Sequence, residues 1–322
     1  MKKLRTALYG ANGHQIYALL KDSPYFELAA AACIPESKLI GIPAFDEGRV
    51  ALYESLPALL TAEKPDFICL CSPKRADQAK DAILCLEAGV TVYAEKPAAL
   101  SERELDEILA VAHRTGVEFH EIADSAFFEP YFTMGKLIKD GKIGDVVQIY
   151  AQKSYPQYFP NRPADETTDG GLTRQAGIHA MRFIEHVAGV RVTDVSVYES
   201  LLGNRDTGEL RMASSFAMKL ENGGVASMAV NYLNPTSFGL WGNETLRVFG
   251  TRGMMEITDG GRRTHIYTEA GDEGEIDVSN SDCVPFPDLL ARHLLFGEPL
   301  PMTEEEELHP LRSVLRAKVA AR

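Results

Sequence analysis

Leu4-Arg5-Thr6-Ala7-Leu8-Tyr9-Gly10-Ala11-Asn12-Gly13-His14-Gln15-Ile16 is a short apolar run, a turn bounded by two glycines, and the entry to a helical pattern that continues to Lys21. Working outward, the same alternation repeats. Residues 26–33, 67–71, 91–95 and 117–122 read as strands, and 56–63 and 77–88 as helices between them. Ser101-Glu102-Arg103-Glu104 is a capping box, in which the serine oxygen and the glutamate carboxylate each accept from the other's backbone N–H. It opens a helix through Arg114 that stops near Gly116. Strands alternating with helices predict a parallel sheet covered on both faces, so residues 1–124 read as a doubly wound domain of the Rossmann type.

In that context the glycine turn has a chemical meaning. Glycines let the backbone approach the pyrophosphate of a dinucleotide, and the start of the following helix offers free N–H groups. Gly10, Asn12, Gly13 and His14 are therefore candidate cofactor contacts. The spacing departs from G-x-G-x-x-G, which would put glycine at Asn12 and Gln15, and taken alone the turn also fits a plain strand-to-helix connection. An acidic residue at the end of the second strand would hold the adenosine ribose of NAD. This strand ends instead at Cys33, followed by Ile34-Pro35-Glu36-Ser37-Lys38. The cofactor is NAD or NADP, with Ser37 and Lys38 inclining the choice to NADP.

After residue 124 the pattern changes. Residues 129–139 look helical and 146–154 look extended, and Ser154-Tyr155-Pro156-Gln157-Tyr158-Phe159-Pro160-Asn161-Arg162-Pro163 is a proline-rich aromatic loop. A helix is expected over 176–188, then alternating runs at 192–202, 210–220, 225–233 and 246–257 with no helices between them. Such runs predict a second, α+β domain over 125–322 with a large open, mostly antiparallel sheet. The tail carries helical pieces. Thr303-Glu304-Glu305-Glu306 can cap one, and Pro310, which lacks an N–H, predicts a break or restart near His309.

Composition sets outer bounds. The 322 residues exceed one ordinary domain and fit two, with 45% hydrophobic side chains to fill their cores. A formal charge of -13, from 33 basic and 46 acidic side chains, argues against a nucleic-acid partner. Five scattered cysteines suggest neither a disulfide framework nor a zinc site, and no metal is expected. No run reaches the length of a membrane span and the start lacks the apolar segment of a signal peptide, so a cytoplasmic chain without a membrane partner is expected.

Two further segments carry a resemblance. Glu95-Lys96-Pro97 stands at the end of the strand over 91–95, and Gly170-Gly171-Leu172-Thr173-Arg174-Gln175-Ala176-Gly177-Ile178-His179 follows about eighty residues later. Together they resemble the E-K-P and G-G-x-x-x-D-x-G-x-H segments of the glucose–fructose oxidoreductase and inositol dehydrogenase family, Gfo/Idh/MocA. Cys71-Ser72-Pro73 is similar to that family's threonine-proline after the fourth strand. Residues 141–147 (G-K-I-G-D-V-V) and 247–257 (R-V-F-G-T-R-G-M-M-E-I) read alike as well. The resemblance covers essentially the whole chain. It implies hydride transfer between NAD(P) and a hydroxyl-bearing carbon of a sugar, cyclitol or related small polyol, and a sheet face that forms a homodimer or homotetramer.

The chemistry asks for the same residue types. Oxidising a secondary alcohol needs a hydride acceptor and a group to take the hydroxyl proton. Lys96, at the C-terminal end of a parallel strand, can donate to the substrate oxygen and orient substrate and cofactor alike. Pro97 fixes the chain direction after it, in a cis bond if the turn demands one. His179 suits a general acid/base. The family pattern puts aspartate where Gln175 stands, and often another where Arg182 stands. Gln175 can hydrogen-bond substrate or orient His179, but it cannot take a proton. Tyr155, Tyr158, Arg162 and Arg174 are candidate substrate contacts, and Cys33, Ser72, Pro73 and Glu95 candidate cofactor contacts. The departures also motivate a second expectation, a non-catalytic protein of the same fold that senses a dinucleotide or a sugar.

Overall fold

A computed structural model describes residues 2–122, 124–156, 162–204 and 208–321. The chain packs as two compact units. One comprises Met1–Ile122, Thr167–Asp169 and Phe286–Glu304, the other Ala123–Glu166, Gly170–Pro285 and Glu305–Arg322.

The first unit holds strands β1 (Leu4–Tyr9), β2 (Phe26–Ala32), β3 (Ala51–Tyr53), β4 (Phe67–Leu70), β5 (Thr91–Ala94) and β6 (Phe119–Glu121). Interleaved are helices α1 (Tyr17–Asp22), α2 (Pro43–Asp46), α3 (Leu56–Glu63), α4 (Gln78–Glu87) and α5 (Glu102–Thr115). The six strands are parallel in the order β3-β2-β1-β4-β5-β6. This is the predicted doubly wound sheet, and the order reverses between β1 and β4, where such sheets bind ligands. Tyr9 pairs with Leu70 and Leu70 with Ala94, so β1, β4 and β5 end level. Every side chain of β4 and β5 is buried, as a sheet covered on both faces requires. The capping box forms as read: Ser101 Oγ accepts from Glu104 N (3.2 Å) and Glu104 Oε2 from Ser101 N (3.2 Å). Gly116 closes α5 at φ +69°.

The second unit starts with α6 (Tyr131–Lys139) and β7 (Val146–Pro156). Three short helices follow: α7 (Glu166–Asp169), whose last three residues fall in the first unit, α8 (Gly171–Gln175) and α9 (Gly177–Arg182). Then come β8 (Val192–Ser200), β9 (Ala213–Leu220), β10 (Val225–Asn234), β11 (Asn243–Gly250), β12 (Gly253–Thr258), β13 (Arg263–Thr268) and β14 (Gly271–Gly274). They form one eight-stranded sheet, order β14-β13-β12-β11-β7-β10-β9-β8, antiparallel except where β10 runs parallel to β7. Burial alternates along β9 and β10, so one face packs a core of Ile149, Phe216, Met228, Val230 and Leu246. Helix α9 lies against β7 and β10 on that sheet. The chain ends with α10 (Phe286–Phe296), which belongs to the first unit, and α11 (Glu304–Val319). Among the described residues no helix is long and apolar enough to cross a membrane.

Several expected elements differ. The run over 246–257 is a hairpin rather than one strand. Gly250 pairs with Gly253, and a Cβ on either would come within 2.1 Å of Ile143 O or 2.4 Å of Tyr267 O. The helix expected over 176–188 is the short α9, continued by a π-turn at Phe183–Val187 and preceded by the separate α8. Helix α1 begins at Tyr17 rather than His14. Pro310 does not break the last helix: α11 runs unbroken through it. Proline at 310 cannot donate to the Glu306 carbonyl four residues back. That carbonyl accepts instead from His186 Nε2 at 2.9 Å, so the acceptor stays partnered although the helix loses its own bond there.

Candidate active site

Each unit carries part of the predicted chemistry. In the first, the chain leaves β1 through Gly10 and Gly13, at φ +71° and +130°. A Cβ on Gly10 would lie 2.0 Å from Cys71 O, and one on Gly13 would lie 2.5 Å from the Glu95 side chain. Only glycine fits either position. Asn12 and Gln15, where the fingerprint would have glycine, serve through their side-chain amides. Asn12 Nδ2 donates to Pro73 O (3.2 Å) and Thr168 O (2.6 Å). Gln15 Nε2 lies within 2.9–3.2 Å of the carbonyls of Tyr9, Gly10 and Cys69. The turn is therefore held by amides that no glycine could supply, while Ala11, Gly13 and His14 remain exposed.

Beneath the turn lies the end of β5. Glu95 is 2% exposed and Lys96 1% exposed. Glu95 Oε2 accepts from His14 N (2.9 Å), Oε1 contacts His14 Nδ1 (3.2 Å), and Lys96 Nζ stands 3.6 Å from Oε1. Burial alone raises a carboxyl pKa. The Lys96 ammonium, the His14 contacts and the Arg75 guanidinium outweigh it and hold Glu95 down at about 2. The Lys96–Pro97 bond is cis. Beyond it, Ala98 N donates to the buried Glu121 carboxylate at 2.7 Å.

Two residues that sequence reading passed over complete this cluster. Arg75, 3% exposed, donates to Asn12 O (2.6 Å) and Glu95 O (3.3 Å) and bonds Gln78 Oε1. Gln78 donates to Glu95 O and to Pro97 O. The signal available was their place: S-P-K-R-A-D-Q follows β4, at the level where β1 and β5 end. Other predicted contacts lie outside this cluster. Ser72 is fully buried and its Oγ donates to Asp81 Oδ2 (2.7 Å), whose pKa burial raises. Cys33 is exposed at φ +56°, with Sγ 3.3 Å from Glu54 O. Glu36, Ser37 and Lys38 form an exposed 3₁₀ turn beyond it.

In the second unit, Gln175 ends α8 and His179 sits in α9, partly buried. Gly171 makes the entry to α8 at φ +73°, where a Cβ would meet Glu166 at 2.6 Å. Thr173 bonds Glu199 and lies 2.6 Å from Ser214 Oγ, and Lys318 Nζ contacts both Glu199 oxygens (2.8 Å) and Glu166 (2.8 Å). Burial raises Glu199, but Lys318, Thr173 and Arg211 prevail and lower it. These braces for α8 were also missed, because Glu199 and Lys318 come from distant elements. Arg174, expected at the substrate, bonds Glu166 Oε2 (3.1 Å) and Gly170 O (3.1 Å). Gln175 Oε1 accepts from Tyr232 at 3.4 Å. Tyr155 and Tyr232 stand 6.2 Å apart, with Arg162 over both rings. The predicted contact Tyr158 lies outside the described residues.

The turn, with two positions only glycine can occupy and an exposed rim at the sheet's switch point, fits a dinucleotide. Residues 10–122 match the family described as an oxidoreductase family with an NAD-binding Rossmann fold, and residues 131–256 match the GFO/IDH/MocA C-terminal domain. Among curated proteins, the chain is 26% identical to a trans-1,2-dihydrobenzene-1,2-diol dehydrogenase of Xenopus laevis over 54% of this chain and 50% of that one. It is 27% identical to the D-glucoside 3-dehydrogenase of Escherichia coli (strain K12), over 58% and 54% of the two chains. The match thus spans about half the length of these curated relatives. An oxidoreductase structure from Thermotoga maritima superposes with a TM-score of 0.87 at 25% identity, covering 98% of this chain and 97% of that one.

Proposed function

The chain belongs to the GFO/IDH/MocA oxidoreductase family, and from that premise we propose that it moves hydride between NAD(P) and the CH–OH carbon of a sugar, cyclitol or similar polyol. The observation that carries this reading is Glu95-Lys96-Pro97, buried at the end of β5 directly under the glycine turn. Relatives named for a diol and for a glucoside support the substrate class.

The turn from Gly10 to His14 and the backbone at Pro73 would hold the dinucleotide, with Cys33 and the turn after it toward the adenosine ribose. The nicotinamide supplies the hydride acceptor in oxidation and the donor in reduction. Lys96 donates to the substrate oxygen and stabilises negative charge as it develops there, an effect strengthened by the dry surroundings of a buried ammonium. Glu95 is its counter-ion and also fixes the turn through His14 N. His179 takes the hydroxyl proton in oxidation and returns it in reduction. Gln175, braced by Tyr232, hydrogen-bonds the substrate without exchanging protons. The cofactor inclines to NADP, since no carboxylate stands at Cys33 to repel a 2′-phosphate and Lys38 follows nearby.

Titration with NADH and NADPH, followed by turnover on a panel of polyols and aldoses, tests the reading. Failure of both cofactors to bind at about millimolar concentration overturns it. Binding without turnover on any member favours the sensing protein instead. Lys96→Met should lower kcat by about 10³-fold while the circular dichroism spectrum is kept; retained turnover removes Lys96 from its role.

A further inference from the structure

The glycine turn already uses two of the backbone donors that phosphate oxygens would take. His14 N donates to Glu95 Oε2 at 2.9 Å, and Asn12 N to Cys71 O at 3.4 Å. Helix α1 adds little, because it opens three residues past His14, at Tyr17, and is six residues long. A doubly negative pyrophosphate on this turn therefore needs a side chain to meet it. His14 is the side chain in place. Its side chain is 69% exposed, whereas that of Glu95, which orients it, is 2% exposed. Nδ1 is turned inward, 3.2 Å from Glu95 Oε1, so the exposed edge of the ring carries Nε2. Among the described residues Nε2 has no partner within the chain.

Glu95 also decides the tautomer. Burial raises that carboxyl, but Lys96, His14 and Arg75 prevail and hold it at about 2, so near neutral pH it is ionised and accepts hydrogen bonds without donating any. Nδ1 is then the N–H of the neutral ring, and Nε2 carries a lone pair. A lone pair repels a phosphate oxygen. With a proton on Nε2 the ring becomes a cation whose outer N–H donates to the phosphate, while Nδ1–H stays on Glu95. Other titratable groups pack against the same turn. Cys71 Sγ, from the end of β4, contacts His14 O at 3.3 Å, and burial pushes that thiol well above its ordinary range. Arg75, after β4, donates to Asn12 O and Glu95 O, and Lys96, after β5, is paired with Glu95. All three are buried, which leaves His14 as the member of the set within reach of a ligand.

We propose that His14 recognises the pyrophosphate of the dinucleotide and takes up a proton at Nε2 as it does so, which makes cofactor affinity depend on acidity. The proposal rests on the NAD(P) oxidoreductase reading above. The proton comes from solvent, and no bond within the chain is lost. Calorimetric titration with NADH and with NADPH, in buffers of low and high ionisation enthalpy, reads the protons exchanged on binding. The phosphates of NADH stay ionised throughout. The 2′-phosphate of NADPH titrates near about pH 6, so for NADPH the measure is the difference between parent and variant. The parent should take up protons, and its affinity should fall about tenfold between about pH 6 and about pH 9. His14→Gln should show neither effect. The gap in Kd between parent and His14→Gln should thus be widest in acid and close as the pH rises, which a merely structural loss would not do. His14→Lys, whose charge is fixed over this range, should bind without proton uptake, and it supplies the contrast if the glutamine variant fails to fold. Proton uptake that persists in either variant, affinity of the parent that ignores pH, or a gap that does so overturns the proposal and leaves the oxidoreductase reading standing. Failure of both cofactors to bind overturns the two together. Proton-linked binding without turnover on any polyol supports the proposal and counts against hydride transfer.

Discussion

At the scale of single residues, Glu95 shows how a buried carboxylate and its cation depend on one another. Its pKa in the folded chain lies at about 2, below the ordinary 4.5. A lowered carboxyl pKa adds stability that is complete above 4.5 and drains away as the pH falls toward 2. Glu95→Gln should therefore lower the melting temperature at neutral pH, since Lys96 loses its buried counter-charge. The gap between variant and parent should shrink across that acid window. A gap independent of pH would show that the pair carries no such linkage. Much at this scale was legible in the sequence. The glycine turn at Gly10 and Gly13, and the place of Lys96-Pro97 after β5, could be read because backbone geometry restricts those positions to few residue types. Asn12 and Gln15 could not: they looked like faults in a fingerprint, and only their amide bonds to carbonyls across the turn show that they hold it. Arg75 and Gln78 escaped notice because a buried polar residue announces itself by its partners, and these came from β5 and the glycine turn.

Among the elements, α11 teaches the clearest lesson. Proline rules predicted a break at 310, and the rule was sound about the missing N–H. What it lacked was the donor. His186, whose pKa burial and then the Arg182 charge push down to about 4, is neutral at pH 7, and its Nε2–H takes the place of the proline N–H on Glu306 O. His186→Ala should cost about 0.5–1.5 kcal/mol in chemical denaturation, because it removes the hydrogen bond that Glu306 O receives. Pro310→Ala restores a backbone donor to the same carbonyl, so the double variant should be more stable than the histidine variant alone. Equal losses would show that the histidine acts elsewhere. The hairpin at Gly250 and Gly253 was hidden for a related reason. Period-two alternation continues through a two-residue turn, so only the close approach of Ile143 and Tyr267 carbonyls marks the reversal.

For the whole molecule, alternation without helices was enough to foresee a mostly antiparallel second sheet, and alternation with helices a parallel first one. The single parallel pairing of β10 with β7 was beyond sequence reading, because it depends on which distant strands meet. The uncovered face of the second sheet turns small residues outward at Ser215, Ala217 and Ser227, with Tyr198, Val225 and Phe249 exposed among them. We expect a second copy to cover it. Light scattering at micromolar concentration should give a dimer or tetramer, and Ser227→Arg, in the middle of that face between Ala217 and Tyr150, should shift it toward monomer. A monomeric parent protein contradicts this.

Helix α10 has a consequence for how the chain is made. It comes late in the sequence, yet Phe286 packs its ring 6.4 Å from Tyr93 and 6.2 Å from His120, and Arg292 bonds Tyr25 at 3.1 Å, all in the first unit. During translation the six parallel strands leave the ribosome long before the helix that covers Tyr93 exists. A nascent chain halted after β6 presents bare aromatic surface, a natural substrate for chaperones. A fragment ending at residue 122 should aggregate, whereas the same fragment carrying residues 286–304 on a flexible linker should stay in solution.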